Sequence, residues 1–151
     1  MPDSNTFDPN AMNVGKYLAY RLHQLGVNQL FSVPGDYTSD LLEIIDTYKT
    51  PKGDRYLNRI GNCNELNAGY AADGYARACG KPGVVLVTSG PGITNCVTGM
   101  ATAHMDSIPM IVISGQVSRQ YVGSDAFQEA DATGITRPIC KHNFLISDRE
   151  S

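Results

Sequence analysis

Glu65 has the setting in this sequence that most directly asks for chemistry. It lies in Gly61-Asn62-Cys63-Asn64-Glu65, just ahead of an Ala-rich stretch of helical character. Two readings stand side by side. Asn62 three residues before an acid resembles a capping box, and an acid in a first turn suits the helix dipole. A carboxyl group crowded by two Asn and a Cys is also placed to hold or move a proton. Thr88-Ser89-Gly90-Pro91-Gly92 forms a second candidate, where backbone N–H groups at a helix start would meet an anion or polar ligand. It carries neither Gly-x-x-x-x-Gly-Lys nor Gly-x-Gly-x-x-Gly, so a tight structural turn is the plain alternative. In Asp125-Ala126-Phe127-Gln128-Glu129 an aromatic beside an amide would wall a small-molecule pocket, or the segment is simply a solvated loop. Lys141-His142 precedes an apolar run, and no Ser or Asp is arranged to make that His part of a triad.

The four cysteines, Cys63, Cys79, Cys96 and Cys140, lack metal-ligand spacing. Cys140 and His142 would share one face of a strand with no further ligand nearby. Free, mostly buried thiols in a reducing cytoplasm are expected.

These residues need elements to hold them. Asn13 is expected to cap a helix with Val14, Tyr17, Leu18, Leu22 and Leu25 on its apolar face, ended by Gly26. Gln29 to Val33 reads as a strand that stops at Pro34-Gly35. A second helix turns Leu41, Leu42, Ile45 and Tyr48 inward. Lys49 to Asp54 is a polar turn, and Arg55 to Ile60 a second strand. Asn64 to Cys79 is a helix whose small residues permit close packing. Gly83 to Thr88 is a continuous apolar run, as in a strand covered on both faces. Thr94 to Met105 is helical and Met110 to Ser114 a buried strand. Gly115 to Asp131 is irregular, and His142 to Ile146 reads as a last short strand.

Strand and helix alternate every ten to fifteen residues or so, which predicts an α/β fold of three layers: a mostly parallel sheet with helices on both faces. Ligands of such sheets bind beyond the carboxyl ends of the strands. The loops expected there are Pro34-Gly35-Asp36, Gly61 to Asn64, Ser89 to Gly92 and Gly115-Gln116-Val117.

The chain has 151 residues, enough for one domain with a full core. Its content of 42% hydrophobic and 18% charged residues is that of a globular protein. A net charge of -3 without a Lys/Arg cluster gives no reason to expect nucleic acid. No apolar run approaches the ~20 residues of a membrane span. Met1 to Asn10 is polar and has neither the basic start nor the apolar core of a signal peptide, so a cytoplasmic location is expected. Residues 1–11 read as a flexible arm and 12–151 as one domain. That domain looks truncated, because no helix follows the last apolar segment before Asp148-Arg149-Glu150-Ser151.

Taken in order, these segments resemble the thiamine-diphosphate-dependent family of acetolactate synthases and 2-oxo acid decarboxylases, over roughly Met12 to Ile146. FSVPGDY (31–37) and CNELNAGYAADGYAR (63–77) are similar to pyruvate and indolepyruvate decarboxylases. GKPGVVLVTSGPGITN (80–95), MDSIPMIVISGQV (105–117), GSDAFQE (123–129) and TRPICKHNFLI (136–146) look more like acetolactate synthase.

The resemblance implies a pyrimidine-binding N-terminal domain with Glu65 at its chemical centre. The matching glutamate hydrogen-bonds N1′ of the cofactor's aminopyrimidine and favours its imino tautomer, whose nitrogen takes the proton from C2 of the thiazolium. That role suits a carboxyl group shielded from water. By the same carry-over, Pro34, Gly35, Thr88, Gly90 and Pro91 belong to loops lining the pyrimidine pocket. Gln128 lies near the cofactor and, with Phe127 and Lys141, on the substrate side. Ser107 matches a position near the FAD that many synthases bind. The implied reaction is decarboxylation of pyruvate or another 2-oxo acid followed by ligation of the product, as in branched-chain amino acid biosynthesis.

The family holds the diphosphate and Mg through Gly-Asp-Gly and a downstream Asn in a separate domain. Here Gly35-Asp36 is followed by Tyr37, and Asp73-Gly74 is preceded by Ala72. The chain therefore offers half a site. The other half is expected from a diphosphate-binding domain in cis or in trans, within a homodimer or larger oligomer, and the small-residue helix suits an interface. Two departures stand out. The adjacent histidines of pyruvate decarboxylases are missing after Ser114-Gly115, which favours carboligation. Asn64 stands where synthases usually have a His before the glutamate. A separately encoded subunit or fragment of a simple decarboxylase is one alternative. A non-catalytic dimerising remnant is another.

Overall fold

Asn13 opens the first helix as expected. Its Oδ1 accepts the Lys16 N–H at 2.8 Å, which fixes the start of α1, Val14–Gln24. The computed structural model describes residues 12–146, so the arm read at 1–11 and the final residues lie outside it. After α1 come β1 (Gln29–Ser32), α2 (Ser39–Thr47), β2 (Asn58–Gly61), α3 (Glu65–Cys79), β3 (Gly83–Val87), α4 (Pro91–Met105), β4 (Met110–Ser114) and the short α5 (Ala132–Thr136). The strands form one parallel sheet in the order β2-β1-β3-β4.

The three-layer α/β architecture follows from how β3 divides its side chains. All five of its residues are buried. Val84 and Leu86 join Ala19, Leu22, Leu42 and Ile45 in a core beneath α1 and α2. Val85 and Val87 join Ala68, Ala72, Ile93 and Cys96 in a second core beneath α3 and α4. An unbroken apolar run is thus what a central strand of a doubly covered sheet requires.

On the second face α3 and α4 approach at glycines. A Cβ at Gly99 would lie 2.9 Å from the Gly69 Cα, and one at Gly69 would lie 3.3 Å from both the Gly99 Cα and the Cys96 Sγ. Gly69 of α3 is therefore used within the chain, against α4. The far ends of these helices are tied by Arg77, which reaches Asp73 at 2.7 Å and Asp106 at 2.6 Å. On the other face Arg59 of β2 grips Asp46 of α2 with bonds of 2.9 and 3.1 Å.

Several expectations change. α1 buries Ala19 and Leu22, with Gly15 and Leu18 partly buried beside them, so Leu18 and Leu22 face inward as expected while Val14, Tyr17 and Leu25 are exposed. Gly15 belongs to that inward face because a Cβ there would meet Ile44 at 2.7 Å, a close approach that weighting large apolar residues overlooks. The strand expected from Arg55 begins only at Asn58, and the helix expected from Thr94 begins at Pro91, whose missing N–H costs nothing in a first turn. β4 is half-buried rather than buried, since it pairs only with β3. Of the four thiols Cys96 alone is buried; Cys63 and Cys79 are exposed and Cys140 is intermediate.

No strand forms at 142–146. Asn143 is instead tied to α5: its Nδ2 donates to the Thr133 carbonyl at 3.1 Å, and its Oδ1 accepts from Thr136 at 3.2 Å. Side-chain bonds of this kind compete with sheet pairing, and Phe144, Leu145 and Ile146 are left exposed.

Candidate functional site

The sheet reverses its winding between β1 and β3, which are neighbours although β2 lies between them in sequence. Loops leaving two such strands diverge, and the gap between them is the usual ligand crevice of an open parallel sheet. A cleft of about 400 Å³ occupies that place. Pro34, Gly35 and Asp36 line it from the end of β1, Glu65 from the end of β2, and Thr88, Pro91, Gly92 and Asn95 from the end of β3 and the start of α4. Gln128, from the long loop after β4, closes it.

Glu65 is free of capping duty. The residue that caps α3 is Asn64, whose Oδ1 accepts the Asn67 N–H at 2.8 Å. Asn62 instead donates to the Asn67 side chain at 3.1 Å, so the capping box suggested by spacing does not form. The Glu65 carboxyl group is half-buried and turns toward α4. Asn95 Nδ2 donates to Glu65 Oε2 at 2.9 Å. Glu65 Oε1 faces Gly92, lying 3.6 Å from where a Cβ at that position would be. Behind this pair is Cys96, whose thiol is pushed up to about 12 by burial first and by the Glu65 charge second. It is an inert packing group.

The walls are held close by glycines. A Cβ at Gly35 or Gly92 would run into the Thr88 side chain, and Gly90, at φ 57°, lies directly beneath the Gln128 main chain. Gln128 is itself left-handed at φ 61°. Tyr37 braces the same loop by donating from its hydroxyl to the Phe127 carbonyl at 3.1 Å.

Polar atoms at this edge lack partners. Thr88 and Gln128 line the cleft, and their Oγ1 and Oε1 atoms are buried without a hydrogen bond, a condition that Ser32 Oγ, Ser89 Oγ and Asn62 Oδ1 share at the same strand ends. Each such atom costs about 1–3 kcal/mol when left unpaired, so polar capacity is concentrated at this edge of the sheet. The charge balance restricts which ligand it suits. Asp36 and Glu65 contribute two carboxylates, and no Lys or Arg is among the lining residues. Glu65, Thr88 and Gln128 suit the edge of an aminopyrimidine, with ring nitrogens and an amino group to share hydrogen bonds. They do not suit a diphosphate. Among the described residues no group of three or more His, Cys, Asp or Glu side chains is placed to hold a metal ion.

Of the residues singled out in the sequence, Glu65, Pro34, Gly35, Thr88, Pro91 and Gln128 converge on the cleft, and Gly90 supports Gln128 from below. Phe127 is adjacent but 71% exposed. Lys141 is exposed and is not part of the lining. Ser107 follows the far end of α4 and precedes β4, which puts it on the opposite edge of the sheet, about 20 Å away along the helix at 1.5 Å per residue. Asp36 and Gly92 lie in loops expected at the ligand edge, and Asn95 was not singled out. The available signal for Asn95 was its spacing, one helical turn after Pro91 at a helix start already under suspicion.

Comparison with known proteins identifies the family. The family model described as thiamine pyrophosphate enzyme, N-terminal TPP binding domain, matches residues 12–135. The chain is 53% identical over 125 residues to an acetolactate synthase large subunit of Buchnera aphidicola subsp. Acyrthosiphon pisum, covering 83% of this chain and 21% of that protein. It is 52% identical over 126 residues to the acetolactate synthase isozyme 3 large subunit of Escherichia coli (strain K12), with the same coverage of 83% and 21%. Against an acetolactate synthase large subunit of Parasynechococcus marenigrum it is 45% identical over 140 residues, covering 93% of this chain and 22% of the relative. The chain thus spans about a fifth of the length of these relatives. With that similarity and a cleft that gathers Glu65 and its neighbours, the chain belongs to the thiamine pyrophosphate enzyme family, as an N-terminal TPP-binding domain of the acetolactate synthase kind.

Proposed function

We propose that the cleft takes the aminopyrimidine end of thiamine diphosphate and that the domain serves an enzyme that decarboxylates pyruvate or another 2-oxo acid and ligates the product. The observation that carries this reading is the Glu65 carboxyl group, held through Oε2 by Asn95 and turned by Oε1 toward Gly92 in the cleft wall. In this reading Glu65 shares a proton with a ring nitrogen. Asn95 fixes the carboxylate plane so that one oxygen keeps that task. Thr88 and Gln128 take the remaining polar atoms of the ring edge, and Gly35, Gly90 and Gly92 keep the walls near enough to exclude water. When bound, the cofactor supplies the electron sink that decarboxylation needs.

The lack of a cation in the lining supports the half-site reading. The diphosphate and Mg are held by a second domain, in cis or from a partner subunit, in a dimer or larger assembly. Phe127 and Lys141 serve the substrate side of that assembly, and Ser107 lies toward FAD where flavin is bound. A cytoplasmic biosynthetic setting fits the relatives. No helix of the described residues is long and apolar enough to cross a membrane.

The test is Glu65→Gln in the holoenzyme. General acid–base contributions run to about 10²–10⁴-fold, so kcat is expected to fall by at least a hundredfold with an unchanged circular dichroism spectrum. Turnover within threefold of wild type would remove Glu65 from the mechanism.

A further inference from the structure

The loop that carries Gln128 into the cleft, with Phe127 beside it, lies in a long segment without regular support, yet Gln128 is held in a left-handed conformation with its amide oxygen buried. Asp125 is left-handed as well, at φ 54°. Two such residues in one short stretch cost about 1–3 kcal/mol each and persist only when their surroundings over-determine them. The determinant is Glu129. Its carboxylate accepts from the backbone N–H of Gly123 through Oε1, and from Ser124 at 3.1 Å and Ala126 at 3.2 Å through Oε2. Its own N–H donates back to the Ala126 carbonyl at 2.9 Å. One side chain thus gathers three backbone donors and closes the loop on itself.

We propose that Glu129 is a positioning residue that sets the place of Phe127 and Gln128 at the cleft by clamping the backbone of 123–126. It touches no ligand and acts through Gln128. The geometry separates it from an ordinary surface acid in two ways. Its partners are all main-chain N–H groups, which a change of neighbouring side chains would not remove. The loop is also pinned from two other sides, by Gly90 beneath Gln128 and by the Tyr37 hydroxyl on the Phe127 carbonyl. With those two contacts fixing the cleft-facing end, the carboxylate fixes the other end. The clamp follows from the chain's own contacts. Its consequence for catalysis rests on the thiamine-diphosphate reading above.

The experiment has two readouts on Glu129→Ala and Glu129→Gln. The first is amide hydrogen exchange by NMR on the protein. Gly123, Ser124 and Ala126 are expected to exchange at least tenfold faster in the Ala variant, with shifted Gln128 and Gly90 signals and unchanged β1 and β3 amides. The Gln variant keeps one acceptor oxygen and is expected to retain part of the protection. Wild-type protection of the three amides in the Gln variant would overturn the clamp, and that variant decides the matter if the Ala variant does not fold. The second readout is steady-state kinetics of the holoenzyme. KM for the 2-oxo acid is expected to rise about tenfold in Glu129→Ala with kcat within twofold, and the Gln variant to recover part of the loss. Loosened amides with an unchanged KM would overturn the positioning role. A wild-type holoenzyme without turnover would count against the proposed function, and the amide readout would still decide the clamp.

Discussion

Asn95 and Glu65 come from helices that start at different strand ends, and they meet at 2.9 Å across the floor of the cleft. A hydrogen bond to a charged group contributes about 1.5–3 kcal/mol. Asn95→Ala in the holoenzyme is therefore expected to lower kcat by about tenfold or more, with a smaller effect on the affinity for the cofactor. Asn95→Asp should be worse than Ala, because it sets two carboxylates against each other. Steady-state kinetics of the two variants checks the order. Asp equal to wild type would show that the amide is dispensable.

Two glycines of the second layer stand in opposite settings. Gly99→Ala gains about 1 kcal/mol of helix propensity, but its Cβ would press on the Gly69 backbone at 2.9 and 3.0 Å, where no flexible side chain is available to yield. Overpacking of that kind costs about 1–3 kcal/mol, so a net loss of stability is expected. Gly74→Ala on α3 meets nothing within 4 Å, and should stabilise by about 0.5–1 kcal/mol. Thermal melts of the two variants should move in opposite directions.

The Leu86 side chain, fully buried in the first core, gives the scale of the sheet's own contribution. Leu86→Ala is expected to cost about 2–5 kcal/mol, read as a lowered denaturant midpoint.

The clamp carries a pH signature. The Glu129 carboxyl is held below its ordinary value, first by the Gly123 N–H and then by those of Ala126 and Ser124, against the opposing effect of desolvation. A depressed acid adds stability above its unfolded value and loses it as pH falls through its folded value. The melting temperatures of wild type and Glu129→Gln should therefore differ most near neutrality and converge in acid, below the ordinary glutamate range. A difference that stays constant into acid would exclude the carboxylate as its source.

No Lys or Arg lines the cleft, so on the half-site reading its described lining residues offer a diphosphate no cation. Calorimetric titration should find thiamine and thiamine diphosphate bound about equally weakly, with no effect of Mg. A large preference for the diphosphate would reveal a phosphate site in this chain.

Much of this was legible in the sequence, for identifiable reasons. The run from Gly83 to Val87 is apolar at every position, and only a strand covered on both faces demands that. Pro34-Gly35 and Thr88 to Gly92 announce themselves by composition, since close approach of backbone to side chain calls for glycine. What escaped was set by tertiary contact. On α1 Leu18 and Leu22 face the core as expected, but Val14, Tyr17 and Leu25 do not, because the rest of that face is a glycine and an alanine. The segment 142–146 has strand composition, but Asn143 finds partners on α5. Asn95 looked like any polar residue in a helix until α3 brought Glu65 against it.

The pairing of Phe31 with Val85 brings together strands that are far apart along the chain, while β3 and β4 are joined by a single helix. Contacts of high sequence separation form late, because the entropy of closing a long loop precedes any reward. The cleft spans that same β1–β3 junction. A chain with α3 and α4 already paired would carry Glu65 and Asn95 in place, yet have no opposite wall until β1 docks. Ligand affinity in this domain should therefore appear in one step, together with completion of the sheet. Thiamine added during refolding would slow unfolding more than it speeds folding.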